Sequence, residues 1–242
     1  MRVLLIDTCG ATGSVALADS ERQPAIVARA ALPGRTASER LVAAIKELTV
    51  SSGVNLGSLD ALGVVHGPGS FTGMRVGLSA AKGLCEALGV PLIAVSRLAV
   101  LAQLADAPQG ARVHALLDAG RGEFYCGLYV DGERVREALV TREEVLAAVD
   151  SGADGGGGVR AFVVACEAAV PQSVAALAPQ LVAEPGAEVA WPLVLRRIER
   201  GEFDDVATLD ANYLRRTDAE IFAKPHAKGS GAAQPARETR VG

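Results

Sequence analysis

Gly67-Pro68-Gly69-Ser70-Phe71-Thr72-Gly73-Met74-Arg75-Val76-Gly77-Leu78-Ser79-Ala80-Ala81-Lys82-Gly83-Leu84 follows the apolar run Ala61 to Val65. The Gly-Pro-Gly turn ends a strand and opens a helix. Pro68 fixes the turn, the glycines allow close backbone approach, and Ser70 or Thr72 caps the helix. Phe71, Met74, Leu78, Ala81, Cys85 and Leu88 recur at spacings of three and four and so share one face. Gly73, Gly77, Ala80, Leu84 and Ala87 form a second face of mostly small residues, and Thr72, Arg75, Ser79, Lys82 and Glu86 form the polar third. A helix lying on a single sheet needs one apolar face. This helix has two, which predicts contact with something besides its own sheet. The glycines are no dinucleotide fingerprint, because Gly73 falls one residue late, and no Lys-Ser/Thr follows to make a P-loop. A geometric role is the main reading, with weak anion binding at the helix start as the alternative.

Upstream, Arg2 to Thr8 reads as a buried strand, followed by strands at Ser14 to Ala18 and Ala25 to Ala31. Thr36 and Glu39 make a capping-box pattern at a helix whose stripe is Leu41, Ile45 and Leu48, with Gly53 suited to its end. A strand from Pro91 to Val95 and a helix follow. The second half partly repeats this order. Val113 to Asp118, Phe124 to Val130 and Arg134 to Val140 read as strands, with Asp131-Gly132 as a hairpin turn. A helix spans Thr141 to Val149 and a strand Arg160 to Cys166. The expected fold is a duplicated α/β architecture of mixed sheets with crossover helices. The expected lobes are 1–106 and 107–223, split around Ala107-Pro108-Gln109-Gly110. Asp154 to Gly158 and the tail 224–242 have the composition of disordered segments.

The chain has 242 residues, half of them apolar and 4% aromatic, with a net charge of −4. That suits an Ala/Val/Leu-rich α/β protein. It lacks the basic footprint of a protein that grips nucleic acid by itself. Cys9, Cys85, Cys126 and Cys166 are scattered and read as free buried thiols of a reducing compartment. The apolar start reaches Asp7 too early for the h-region of a signal peptide, and Val90 to Ala105 is broken by Pro91 and Arg97. A cytoplasmic location with no membrane contact is expected.

The Gly67 to Leu84 segment resembles the signature of the TsaB (YeaZ) family, which serves threonylcarbamoyladenosine (t6A) formation in tRNA. Leu5-Ile6-Asp7-Thr8 with Gly13 to Leu17 is similar to that family's first hairpin, and Ser38-Glu39-Arg40-Leu41 to its first-helix motif. Asp118 to Tyr125 and Tyr213-Leu214-Arg215 are similar to its second-half markers. The likeness is dense from Met1 to about Leu98 and thinner beyond. It implies the actin-like (ribonuclease H-like) plan of the actin, sugar kinase and Hsp70 (ASKHA) superfamily. It also implies a non-catalytic subunit that partners and activates the paralogue TsaD and assembles with TsaE. That machinery transfers a threonylcarbamoyl group to N6 of adenosine 37 in tRNAs reading ANN codons. A homodimer is implied when TsaD is absent, and tRNA contact only through the complex.

The resemblance places Asp7, Thr8, Gly13 and Ser14 where the superfamily holds its first phosphate loop. Here they read as a vestigial loop, because no glycine turn follows the second-half strand at Cys166-Glu167-Ala168 to close on a nucleotide. No cofactor is expected in this chain alone, which leaves ATP or ADP to a shared interface of the complex. TsaD carries a metal-binding histidine pair one helical turn apart. Thr36 to Leu41 has no histidine, and His66, His114 and His226 are isolated, so no metal site is expected. No catalytic residue is assigned, since no nucleophile elbow or paired base is visible. Asp118, Arg121 and Glu123 either line a cleft or pair within a turn. The expected partner surface is one apolar patch of Leu41, Ile45, Leu48, Met74, Leu78 and Cys85, with Arg40 and Phe71 beside it. The alternative is an autonomous enzyme, either a phosphotransferase or a glycoprotease-like metallopeptidase.

Overall fold

The computed structural model describes residues 1–32, 36–153 and 161–215. The glycine run 154–158 and the tail 224–242 lie outside them.

Hydrophobicity without alternation predicts strands buried on both faces, and the first strands obey it. β1 (Arg2–Asp7), β2 (Gly13–Asp19) and β4 (Ala61–Val65) are buried almost throughout. With β3 (Ile26–Leu32) and β5 (Leu92–Val95) they form a sheet ordered β3-β2-β1-β4-β5. β1 to β3 pair antiparallel, and β1, β4 and β5 pair parallel. The second sheet contains β6 (Arg112–Gly120), β7 (Glu123–Val130), β8 (Glu133–Thr141), β9 (Ala161–Ala165) and β10 (Gln180–Leu181). Its order, β10-β9-β6-β7-β8, is the first sheet's order met from the other edge, with the same antiparallel and parallel pairs. Each half is thus one copy of the ribonuclease H-like plan, and the fold is the duplicated actin-like one. The Asp131-Gly132 hairpin turn has positive φ at both residues, 50° and 75°.

One face of the first sheet is covered by α1 (Ala37–Ser51) and α2 (Phe71–Leu88). Gly73 and Gly77 bring α2 onto β1. A Cβ at Gly73 would strike the Thr8 carbonyl, and one at Gly77 the Thr8 hydroxyl. That hydroxyl donates to the Gly73 carbonyl at 2.6 Å. Ser70 is the capping residue, its Oγ accepting from the Gly73 amide at 3.2 Å. The second apolar face of α2 therefore has an internal explanation: small residues meet β1, and α1 packs alongside.

The other face of the first sheet is covered by a segment that the sequence reading does not assign. A 3-10 turn at Ala187–Ala190 leads into α6 (Trp191–Glu199), with α4 (Arg142–Ala153) and α5 (Ala169–Ser173) intervening earlier in the chain. Ala187, Ala190, Trp191, Leu193, Val194 and Ala211 join the core of the first sheet. Gly63 in β4 admits them, since a Cβ there would lie 2.8 Å from Val194. Conversely α3 (Arg97–Ala102) sends Leu98 and Leu101 onto the second sheet. The packing therefore does not divide at 106/107. The chain crosses into the second lobe at α3 and returns to the first from Ala187, because each sheet has two apolar faces to cover.

Two glycines of α2 give a matched test. A methyl group added at Gly83 would have nothing within 4 Å, whereas one added at Gly73 would meet the Thr8 carbonyl. Gly83→Ala is expected to stabilise the chain by about 0.5–1 kcal/mol through helix propensity. Gly73→Ala is expected to destabilise it by about 1–3 kcal/mol through overpacking. Urea midpoints of the two variants check the opposite signs.

Candidate functional site

A cleft of about 610 Å³ lies between the lobes, lined by the β1–β2 hairpin, the start of α2, Arg97, Asp118 and Glu167. The vestigial-loop residues line it or lie just behind it. Asp7 is 3% exposed and its Oδ1 accepts from the Cys9 amide at 2.8 Å. Burial pushes its carboxyl above the ordinary value of 3.8, against the pull of Arg97. Thr8 is held by Gly73, and a Cβ at Gly13 would meet the Asp7 carbonyl at 3.3 Å. Ser14 Oγ accepts the Ala187 amide at 2.8 Å, so the returning segment occupies it.

The decisive group is Glu184. Its Oε1 accepts from the Ala11 amide at 2.8 Å and from Arg97 Nη2 at 2.9 Å. Backbone amides of such a hairpin attract anions, and here the anion is a carboxylate of the chain itself. A side chain at Gly10 would strike the same Glu184 oxygen. Arg97 is 4% exposed. Burial works against its charge, but Asp7 and Glu167 among its neighbours hold it protonated, above its ordinary value. Glu167 lies 3.9 Å away across the cleft and accepts from the Asp118 amide at 2.6 Å. Its own carboxyl is raised by burial.

Arg97, Glu167 and Glu184 carry the electrostatics of this cleft, and none is a site residue of the sequence reading. The available signal was a lone arginine inside the apolar run Val90 to Ala105.

Other expected residues are dispersed. Asp118 lines the cleft and its Oδ1 accepts from Gly120, while Glu123 pairs with Arg215 at 2.7 Å rather than with Arg121. His66 Nδ1 faces the Asp210 carbonyl at 3.2 Å, far in sequence from His114 in β6. Among the described residues no group of three or more His, Cys, Asp or Glu side chains could hold a metal. The four cysteines are free. No helix among the described residues is long and apolar enough to cross a membrane.

The expected partner patch needs correction. Leu41, Ile45, Leu48, Met74, Leu78 and Cys85 are each 6% exposed or less and belong to the core of the first sheet. They face inward because they are the stripes with which α1 and α2 grip that sheet. Arg40 and Phe71 remain outside, joined by Val42 and Val50 at 74% and 73% exposure. Phe71 anchors an ordered group: the Arg75 guanidinium lies 3.9 Å over its ring and Arg75 Nε donates to the Tyr213 hydroxyl at 2.9 Å.

A family model described as TsaD, tRNA N6-adenosine threonylcarbamoyltransferase, matches residues 31–191. The chain is 38% identical over 130 residues to the tRNA threonylcarbamoyladenosine biosynthesis protein TsaB of Escherichia coli, covering 53% of this chain and 55% of that one. The TsaB of Haemophilus influenzae is 41% identical over 106 residues, covering 43% and 44%. The chain thus spans about half the length of these relatives. Against an uncharacterized Mycobacterium tuberculosis protein it is 32% identical over 227 residues, covering 91% and 95%. Among solved structures, YeaZ from Pseudomonas aeruginosa superposes with a TM-score of 0.70 at 30% identity, covering 88% of this chain and 99% of that one.

Two outcomes test the cleft. Glu184→Ala strands the Ala11 amide and part of the Arg97 charge, and is expected to cost about 1.5–3 kcal/mol. Inorganic phosphate should restore melting temperature in this variant and not in the parent; equal effects on both would show that the hairpin is no anion slot. Asp7→Asn keeps an acceptor for Cys9 and removes the buried charge. Because folded Asp7 titrates above 3.8, its contribution is fully present below that pH and lost as pH rises through the raised value. The parent should lose stability relative to Asp7→Asn over that window, as urea midpoints from about pH 3.5 to about pH 8 would show.

Proposed function

The chain belongs to the TsaB/YeaZ family, and on that footing we propose that it is a non-catalytic subunit of the machinery that forms t6A in tRNA, the partner and activator of TsaD. The reaction it serves moves a threonylcarbamoyl group from an adenylate to N6 of adenosine 37 in tRNAs reading ANN codons. TsaE is the third component. The observation that carries the non-catalytic reading is Glu184. Its carboxylate occupies the hairpin amide and the buried Arg97 that an incoming phosphate would need. ATP or ADP in the complex is then held at a shared interface and not in this chain's own cleft. With a net charge of −4, tRNA contact falls to the assembled complex, where partners supply the basic surface.

The docking surface follows from what α1 and α2 leave outside. Arg40, Val42, Phe71 and Arg75 are exposed on these two helices, and aromatic and arginine side chains are typical anchors of binding energy. Arg75 is already fixed between Phe71 and Tyr213, so little side-chain freedom is lost on docking. The same surface pairs two copies of the chain when TsaD is absent.

The test is reconstitution of t6A formation with TsaD and TsaE. The chain alone should neither turn over ATP nor cleave peptide. Phe71→Asp with Val42→Asp should retain the parent's circular dichroism, weaken TsaD binding at least about 100-fold (2.7 kcal/mol) and abolish activation. Leu78→Glu, at 6% exposure, should instead unfold the chain. A Phe71/Val42 double variant that still binds and activates TsaD overturns the docking surface. ATP turnover by pure protein that is lost in Asp7→Ala overturns the non-catalytic reading.

A further inference from the structure

The outer face of the second sheet holds a second hollow, of about 380 Å³, between β6, β7, β8 and α4. Strand alternation separates it from the cleft. Val113, Ala115, Leu117 and Tyr129 point to the α3 side, whereas His114, Cys126, Leu128, Arg136 and Ala138 line the hollow. Registry places them as neighbours: His114 opposite Leu128, Leu128 opposite Arg136, and Cys126 opposite Ala138.

One atom of its wall is left unsatisfied by folding alone, and two arginines stand beside it. His114 is 3% exposed, and its Nδ1 has no hydrogen-bond partner among the described residues. A buried polar atom left unpaired is costly and uncommon in native proteins. Arg112, half-buried, and Arg136, exposed to solvent at the rim, line the same space and form no ion pair among the described residues, so both guanidinium groups are free to meet a ligand. Glu144 also lines the hollow, with its Oε2 accepting the Thr141 amide at 2.8 Å at the start of α4, so the two arginines leave a net positive charge there. Between these polar groups the wall is apolar, with Leu128, Val140 and Val145. A volume in the range of small-ligand pockets, mostly apolar and with a few convergent polar groups, is the usual form of a binding site. Guanidinium groups recognise planar or tetrahedral oxyanions with paired hydrogen bonds.

We infer that this hollow binds a small single-chain amphiphilic anion, with its acidic head at Arg112, Arg136 and His114 and its apolar tail against Leu128, Val140 and Val145. The site lies on the sheet face opposite the cleft, so it stands or falls independently of the role in t6A formation.

The probes are 1-octanesulfonate, 1-octanol and ethanesulfonate, each below micelle-forming concentration, titrated into the full chain by calorimetry and by NMR of the histidine ring and backbone amides. Octanesulfonate is expected to saturate one site per chain, to shift His114 and amides of β6 to β8, and to raise the melting temperature. Octanol and ethanesulfonate should each bind at least about tenfold more weakly. Arg112→Gln with Arg136→Gln should reduce octanesulfonate to the octanol level while leaving the fold intact. Ala138→Trp should fill the hollow and remove binding of both octyl probes; if that variant does not fold, the double arginine variant decides alone. The proposal is overturned if octanesulfonate leaves His114 unmoved, if octanol binds as tightly, or if binding survives in a folded Ala138→Trp chain, which would mark adsorption to the surface.

Discussion

A guanidinium at 4% exposure cannot be left uncompensated in a protein interior, and Arg97 is compensated from both lobes. Its main chain belongs to the end of the first sheet and the start of α3, with its amide donating to Gly67 at 2.7 Å. Its charge is met by Asp7 from β1, by Glu167 after β9 and by Glu184 after β10. Lobe placement, closure of the hairpin and the chemistry left in the cleft all follow from where those carboxylates must stand. A phosphate arriving at the Ala11 amide would have to displace Glu184 and leave it facing Asp7 and Glu167 with one shared cation. The hairpin amide and the buried guanidinium are both satisfied by a side chain of the chain itself.

The helix α2 is the mechanical counterpart of this arrangement. Its glycines bring it against β1 and put the Thr8 hydroxyl on the Gly73 carbonyl. That contact fixes the loop from which Thr8 and Cys9 face the cleft, with Asp7 buried behind them. The larger side chains of α2 are consumed in gripping the sheet. What the helix offers outward is a short ordered group, Phe71, Arg75 and Tyr213.

Much of the fold was legible because its signals are local. Buried strands appear as unbroken apolar runs such as Ala61 to Val65, and the hairpin at Asp131-Gly132 is announced by two residues that tolerate positive φ. Helix faces were legible as periodicity but not as destinations. The spacing of Leu41, Ile45, Met74 and Leu78 defines a stripe, and an identical stripe serves a partner or the helix's own sheet equally well. Glu184 was not legible at all. It lies 173 residues from the amide it binds, in a stretch without periodicity, and nothing in its neighbourhood encodes that distance. Gly63 was an unread signal: a glycine inside a fully buried strand marks a place where something else comes close, and that something is Val194.

The return of residues 187–211 to the first sheet has a consequence for how the molecule is made. The first sheet leaves the ribosome early, and its strands can pair as soon as Val95 has emerged. Yet one entire face of it waits for Ala187, Trp191 and Val194. At a synthesis rate of about 5–20 residues per second, that face spends several seconds as an uncovered apolar layer on a nascent chain. During this interval the protein is open to chaperones and to aggregation. The roughly hundred residues between Val95 and Val194 therefore act as a clock: the lobe that begins folding first is the one that finishes last.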